Sequence, residues 1–533
     1  MAQPIYSYNQ RKVETRLTQA FRKRGREATI ADLIAATGLP RLQIEETLPA
    51  VVHNYRGHLR VTESGEILYH FPHGLHHREL SGRARFERVF SRFLRGAAVV
   101  GKVLFKVWIM LMLVGYFVLF IALVVAALLA SMAASAKSNG GSRGRSGSLG
   151  GTYMMTRLVQ QIIFLWMFSG RRRGYGYSRG YSHGVGARRQ EPLDWRMQRS
   201  KEDGPPLHQS IFAFVFGIQD PAGDWQTRER TAFTELVQTR KGVVTLTELQ
   251  ALTGRTSDEA QDLMNRMMLE YDGEPDVTEK GTLIYKFPEL MRTAQPSDTR
   301  GGRIDRLLPE RPEIPFNENS PGLNRWIGVL NGVNLAFGSY FTVFGLAGGL
   351  PEEGFGLFYT ITVVLLGEVF LNPVSVVLIG LGFVPLVFSA LFYLLPVVRN
   401  RRRCKRNKEI GMQNARRLVY RELLAAGAAA AGMPATGVPT AAEIDPEDIT
   451  TGLKDRNEMQ RVLEALNQIA GELQADVDAA AAADAGTEAG VAAVRYRYRF
   501  PDLARQVIDV NNLRAGIDTA QYRTGEVVFD SNE

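Results

Sequence analysis

One stretch of this chain occurs twice. Residues 29–72 align without a gap on residues 245–288, and at a constant offset of 216 the two share 14 of 44 positions. Unrelated stretches of average composition would agree at about 6% of positions. The shared pairs include Leu33/Leu249, Gly38/Gly254, Tyr55/Tyr271, Gly57/Gly273, Gly65/Gly281, Tyr69/Tyr285 and Phe71/Phe287. Whatever fold one copy takes, the other must take too. A third, more distant copy is expected near the end, because VRYRYRFPDL at 494–503 echoes TLIYKFPEL at 282–290.

Each copy reads as helix, short strand, helix, helix and hairpin. In the second copy, residues 227–240 form a helix with Phe233, Leu236 and Val237 on one face. Val243 and Val244 begin a short strand. Leu246, Leu249 and Leu252 line a helix that stops at Gly254, a residue suited to a left-handed helix end. Thr256 or Ser257 caps the next helix, whose inward stripe is Leu263, Met264, Met267 and Met268. Gly281 marks a hairpin turn, with Leu283, Tyr285 and Phe287 alternating onto one face. Three helices and a hairpin around a helix-turn-helix are a winged helix. The expected class is therefore α+β: winged-helix repeats, two clear and a third degenerate, joined to α-helical transmembrane segments. The modules fall at 1–80, 205–292 and 410–515, followed by a tail at 516–533.

Many winged helices read DNA, and DNA affinity comes largely from neutralising phosphates. The third helix of copy two carries Asp258, Glu259, Asp262 and Glu270 against Arg266; that of copy one carries Glu45 and Glu46 against Arg41. Residues 211–292 hold 14 acidic and 9 basic side chains, a net charge of −5. That surface suits protein partners, and nucleic acid is disfavoured. Copy one differs in having a basic first helix, with Arg11, Lys12, Arg16, Arg22 and Lys23.

The longest uncharged run covers the 30 residues 107–136, more than the ~20 needed to cross a bilayer. We therefore place a transmembrane helix at 100–136 and a second membrane or interfacial segment at 152–170. A linker is expected at 293–322, and a membrane region of two or three segments at 323–398. Four or five membrane segments are expected in total. Three basic flanks, 78–106, 171–189 and 399–408, together carry a net +19, more than the +9 of the whole chain. The basic balance is thus a property of membrane flanks, with Arg171, Arg172, Arg173, Arg401, Arg402 and Arg403 facing lipid headgroups. By the positive-inside rule the flanks and all modules face the cytoplasm, or the stroma of a plastid.

Other signals are sparse. Cys404 is the single cysteine, too few for a disulfide framework, zinc ribbon or cluster site. His70, His73, His76 and His77 lie close enough in sequence to be weak metal candidates. Glu368, Asn331 and Asn334 are polar groups in apolar surroundings and could build a transport site. No P-loop or H-E-x-x-H occurs, so no enzyme activity, catalytic residue or cofactor is expected.

The segment HQSIFAFVFGIQDPAGDWQTRERTAF at 208–233, followed by GVVTLTELQALTG and DGEPDVTEKGTLIYKFPEL, resembles a family of cyanobacterial and chloroplast membrane proteins labelled "iron-sulphur cluster biosynthesis family protein". That family carries S-[IVF]-F-S-F-[VL]-F-G-D-G-[DN]-P before a winged-helix-like module. Here SIFAFVFGIQDP at 210–221 matches most of it, departing at Ile218 and Gln219. The resemblance implies an integral membrane protein of bacterial or plastid type. The single cysteine gives no ligand set for a cluster. The expected function is a multi-pass scaffold of the bacterial inner membrane, contacting lipid and binding other proteins or its own copies as a homo-oligomer. A membrane-tethered DNA-binding regulator is the alternative, and a transporter built around Glu368 the third.

Overall fold

A computed structural model describes residues 8–24, 27–72, 74–75, 82–138, 206–218, 220–293, 304–348, 355–432, 441–453, 455–481, 494–522 and 524–531. The expected segment at 152–170 and the residues Arg171, Arg172, Arg173, His73, His76 and His77 lie outside them. In chain order the elements are α1 (Gln10–Arg24), β1 (Glu27–Ala28), α2 (Ile30–Thr37), α3 (Arg41–Tyr55), β2 (His58–Thr62), β3 (Ile67–His70), α4 (Gly82–Ser138) and α5 (Leu207–Phe216). Next come α6 (Trp225–Thr239), β4 (Val243–Val244), α7 (Leu246–Thr253), α8 (Ser257–Tyr271), β5 (Glu274–Val277), β6 (Leu283–Lys286), α9 (Ile304–Leu307), α10 (Pro321–Leu346) and α11 (Phe355–Gly367). The chain closes with α12 (Val384–Gly432), β7 (Ala442–Ile444), α13 (Pro446–Thr450), α14 (Arg456–Glu472), β8 (Asp476–Ala481), β9 (Val494–Phe500), α15 (Pro501–Gly516) and β10 (Val527–Asp530). The fold is mostly helical, with small antiparallel sheets. It divides into two compact units, one of residues 1–88, 220–314 and 404–533, the other of 89–219 and 315–403.

The first unit holds three sheets that share one antiparallel order, β1-β3-β2, β4-β6-β5 and β7-β9-β8, and the first gains a fourth strand, β10, on the edge of β2. Register repeats as well. His58 pairs with His70 and Val61 with Ile67; 216 positions on, Glu274 pairs with Lys286 and Val277 with Leu283. Each sheet belongs to a module built from a first helix, a short strand, two further helices and a hairpin. The modules are α1 to β3, α6 to β6, and the C-terminal part of α12 through β9.

The local chemistry explains the repetition. Thr29 and Thr245 each cap a helix through a reciprocal capping box, with Asp32 and Glu248 respectively, a device contributing about 1 kcal/mol. Gly38 and Gly254 end those helices in the left-handed conformation, at φ 63° and 72°. At the end of the third helix, Arg56, Asp272 and Gln474 all take positive φ, at 53°, 57° and 50°. The next amide then reaches back to the carbonyl of Val52, Met268 or Ala470, at 2.9 Å each. A Cβ on Gly57 would meet the Phe71 ring at 2.6 Å, and one on Gly273 the Phe287 ring at 2.3 Å.

The hairpin corrects the sequence pattern at one position. Leu283 is exposed at 46%, whereas Ile284 is buried at 1% against Val243 and Val510. Helix α15, which follows the third module, covers the face of β6 that an isolated hairpin would leave in water. Both faces of this strand are therefore apolar, and a two-residue alternation cannot describe it.

The second unit contains helices long and apolar enough to cross a bilayer. Among the described residues there are three such spans, Val100–Met132, Pro321–Leu346 and Pro373–Ala429. The span at 100–136 and two segments of the region expected at 323–398 account for these, and the segment expected at 152–170 lies outside the described residues. Helix α11 runs only 13 residues, about 20 Å of rise against a hydrocarbon core of about 30 Å. Helix α5 is shorter still and belongs to this unit rather than to the second module. Its Ile211 and Val215 pack with Ile109, Leu113, Ile327 and Phe392.

Small residues let these helices approach closely. A Cβ on Gly338 would lie 2.8 Å from the Leu386 amide nitrogen, and one on Gly382 2.9 Å from that of Thr342. Asn331 donates to the Ser389 carbonyl at 3.0 Å, tying α10 to α12, and Asn334 donates to the Leu113 carbonyl at 2.7 Å, tying α10 to α4.

Candidate protein-interaction site

The most regular feature of the first unit is the way one module meets the next. The turn between the second and third helix of a module forms an elbow. At the first elbow, a Cβ on Gly38 would lie 2.7 Å from the Thr227 carbonyl oxygen and 2.8 Å from the Thr231 hydroxyl, both on α6. At the second elbow, a Cβ on Gly254 would lie 2.0 Å from the Gln413 carbonyl oxygen and 2.8 Å from the Arg417 side chain, both on α12. Thr227 and Thr231 precede Gln413 and Arg417 by the same 186 positions. Both junctions therefore set a glycine elbow of one module against the same turn of the next module's first helix. Glycine is required twice over, for the positive φ and for the close approach of two backbones.

A second contact accompanies each elbow. The segment after a module's hairpin covers the capping box of the module before it. Thr29 donates its hydroxyl to the Arg292 carbonyl at 2.9 Å, and Arg41 reaches Glu289 at 3.3 Å. At the later junction Arg514 of α15 donates to the Glu248 carboxylate at 2.6 Å and to the Val243 carbonyl at 2.7 Å. Arg240 adds a second cation 3.0 Å from Glu248. Burial acts to raise the Glu248 carboxyl, but the two guanidiniums outweigh it and hold it below the usual carboxylate range. The pair lines a small polar cavity of about 70 Å³ with Thr245, Leu503 and Val510.

Ion pairs brace the modules internally. Arg230 meets Glu270 at 2.6 Å and Arg416 meets Glu472 at 2.7 Å, first helix to third in each case. The first module has Glu14 and Asn54 at the matching positions and lacks this brace. On α8, Asp258, Glu259 and Asp262 are all exposed, so the helix that would enter a DNA groove offers water an acidic face.

The expected linker is partly a built strap. Asn414 both accepts from the Arg311 amide at 3.2 Å and donates to its carbonyl at 2.9 Å; Asn407 does the same for Ile314, at 3.0 Å each way. Arg417 donates to the Pro309 carbonyl at 2.9 Å and also to that of Leu308. Two asparagines seven apart on one helix face were the available sequence signal for this strap.

The remaining candidates do not converge. His70 lies at the end of β3 with Nδ1 2.8 Å from the Glu27 carboxylate; burial, then the charge of Arg60, pushes it below the usual histidine range. Among the described residues no group of three or more His, Cys, Asp or Glu side chains could hold a metal ion. Glu368 is exposed in the turn after α11, whereas Asn331 and Asn334 are fully buried within α10 and bonded to backbone carbonyls. These three do not form one polar site. Arg401 and Arg402 are exposed, Arg403 is half-buried, and Cys404 is exposed. Arg399, outside the expected set, packs over the Phe316 ring at 4.4 Å and donates to the carbonyls of Ala213 and Phe316 at 3.0 Å each.

This geometry defines a membrane-associated protein whose small helix-and-hairpin modules pack on one another through repeated junctions within the chain. An Arabidopsis thaliana protein described as uncharacterized and chloroplastic is 23% identical over 440 residues, covering 77% of this chain and 72% of its own. No family profile and no solved structure matches the chain.

Proposed function

We propose that this chain is an integral membrane scaffold. Its modules are winged-helix repeats, standing on the cytoplasmic or stromal side of a bacterial or plastid membrane and binding other proteins or further copies of the chain. The observation that carries this reading is the junction itself. Gly38 on α6 and Gly254 on α12 set the same module surface against a neighbouring module twice, which supports a surface suited to protein contacts. The exposed acids of α8 support it, since they would repel a phosphate backbone. The test is purification of the full chain from gently solubilised membranes, followed by particle imaging and mass spectrometry. A large homomeric or mixed assembly supports the scaffold; a strictly monomeric chain with no co-purifying protein rejects it.

One observation favours a second reading, that of a membrane-tethered DNA-binding regulator. Arg11, Lys12, Arg22 and Lys23 are all exposed on α1. Salt-sensitive binding of duplex DNA by the full chain, lost on replacing these four side chains, would establish it.

A further inference from the structure

The three hairpins end in edge strands of matching position, β2, β5 and β8, and among the described residues only β2 has a strand on its outer side. That strand is β10, from the end of the chain. The residue opposite the hairpin tyrosine shows why the three edges differ. It is Leu59 opposite Tyr69, Pro275 opposite Tyr285, and Val477 opposite Tyr498. The main chain of Leu59 faces outward. Its amide donates to the Ser531 hydroxyl at 2.8 Å, and its carbonyl accepts from the Ser531 amide at 2.9 Å. Pro275 has no N–H to give at this place. The next residue is Arg60, whose Nε donates to the Asp530 carboxylate at 2.7 Å. Its counterparts are Asp276 and Asp478, which pair with Lys286 and Arg499. An incoming aspartate would meet like charge on both of those edges. The β2 edge alone is built to take an extended segment with an acid at this register.

The strand it takes is held with little apolar burial. Val527, Val528 and Phe529 are exposed at 45%, 68% and 59%. The Glu63 amide donates to the Glu526 carbonyl and the Ser64 hydroxyl to the Thr524 carbonyl, at 2.9 Å each. Main-chain bonds and one ion pair therefore carry the attachment. The ten residues 517–526 join β10 to α15. Fully extended they reach about 33 Å, so the strand can leave its edge without unwinding the helix. Three consecutive apolar side chains on an edge strand, with no lysine or proline among them, are what isolated proteins avoid.

We propose that β2 is a strand-docking site and that β10 of a second copy takes it by exchange, coupling two copies as a swapped pair. The occupant is a second copy because the segment that fits this edge is the chain's own 526–531. Exchange repeats every contact made within one chain, so neither arrangement gains hydrogen bonds or ion pairs over the other. Exchange adds a neighbour against Val527, Val528 and Phe529, which a single copy leaves in water. Anchoring in a membrane raises the effective concentration of copies and favours the exchanged form. The proposal rests on the scaffold reading and names the surface through which copies join.

The test is disulfide trapping on the full chain, with Cys404→Ser throughout so that the only thiols are those introduced. Val61 and Phe529 are directly paired across the two strands. The receiving copy carries Arg60→Asp with Val61→Cys; the donating copy carries Asp530→Arg with Phe529→Cys. Each is mismatched in charge within itself and matched to the other. Mixed in phosphatidylcholine vesicles and oxidised, they are expected to give a disulfide-linked pair. A donor that keeps Asp530 is expected to give on the order of 10-fold less, because it brings an acid to an acid. Thermal melts check that each variant is folded, and Val61→Cys with Phe529→Cys in one otherwise unchanged chain reports whether β10 lies on β2. If that chain closes its own disulfide while no mixture links two copies, exchange is overturned and the scaffold stands. Linked pairs in equal yield from matched and mismatched mixtures would place the contact elsewhere and overturn it too. A chain that stays monomeric and captures no other protein removes the scaffold reading as well.

Discussion

Arg514 and Glu248 lie 266 residues apart and form a 2.6 Å ion pair, with 10% of one side chain and 6% of the other exposed. The arginine sits near the end of the helix leaving the third module; the glutamate closes the capping box of the second. Removing one partner of a buried pair leaves the other desolvated without full compensation. Arg514→Ala is expected to destabilise the first unit by about 3 kcal/mol. The check is chemical denaturation of the purified full chain, and an unchanged midpoint would count against the pair as a fastener.

The same pair sets an acid limit. Glu248 is held below the usual carboxylate range when folded, so the folded chain binds protons less readily there than the unfolded chain, whose value is about 4.3. Its contribution is present in full above that value and is lost as pH falls through the folded value. Melting of the wild type is expected to steepen in pH dependence below about pH 4.3, and Glu248→Gln to flatten that slope. Equal slopes from pH 3 to 6 would contradict it.

The glycines should rank by environment. Gly281 has φ 87° with open space around it, Gly38 faces a carbonyl at 2.7 Å, and Gly254 faces one at 2.0 Å. Alanine at Gly281 meets only backbone strain, about 1 kcal/mol. Alanine at Gly254 must also push two modules apart and is expected to cost roughly 3 kcal/mol or more. Gly38→Ala should fall between, and melts of the three variants will show whether the order holds.

In the membrane unit, Asn334→Leu removes the bond from α10 to the Leu113 carbonyl and should weaken helix association by about 1 kcal/mol. Glu368→Gln alters an exposed turn and should leave the melt within about 0.5 kcal/mol of wild type. Detergent melts of both variants test this, and a large effect at Glu368 would restore interest in a transport site.

Much of the module was legible from residue patterns. Thr245, Gly254, Thr256 and the stripe Leu263, Met264 and Met267 follow from capping, left-handed glycine and helical period, all local properties. The candidate site was less visible. Gly38 and Gly254 stood out as helix ends, but nothing local shows that each also receives a neighbouring helix. The burial of Ile284 depends on Val510, and the ordering of Ile314 on Asn407, partners more than 90 residues distant.

By itself the sequence determined the repeated elements, their caps and turns, and the presence of apolar spans flanked by basic residues. These depend on φ preference, side-chain period and hydropathy over a few turns of chain. Only the tertiary structure decided that three modules share one core, that Leu283 faces water while Ile284 does not, and that α11 is too short to cross alone. It also decided that Glu368 stands apart from Asn331 and Asn334. Each of these turns on which distant surface removes a residue from water, and that is a property of packing rather than of any local pattern.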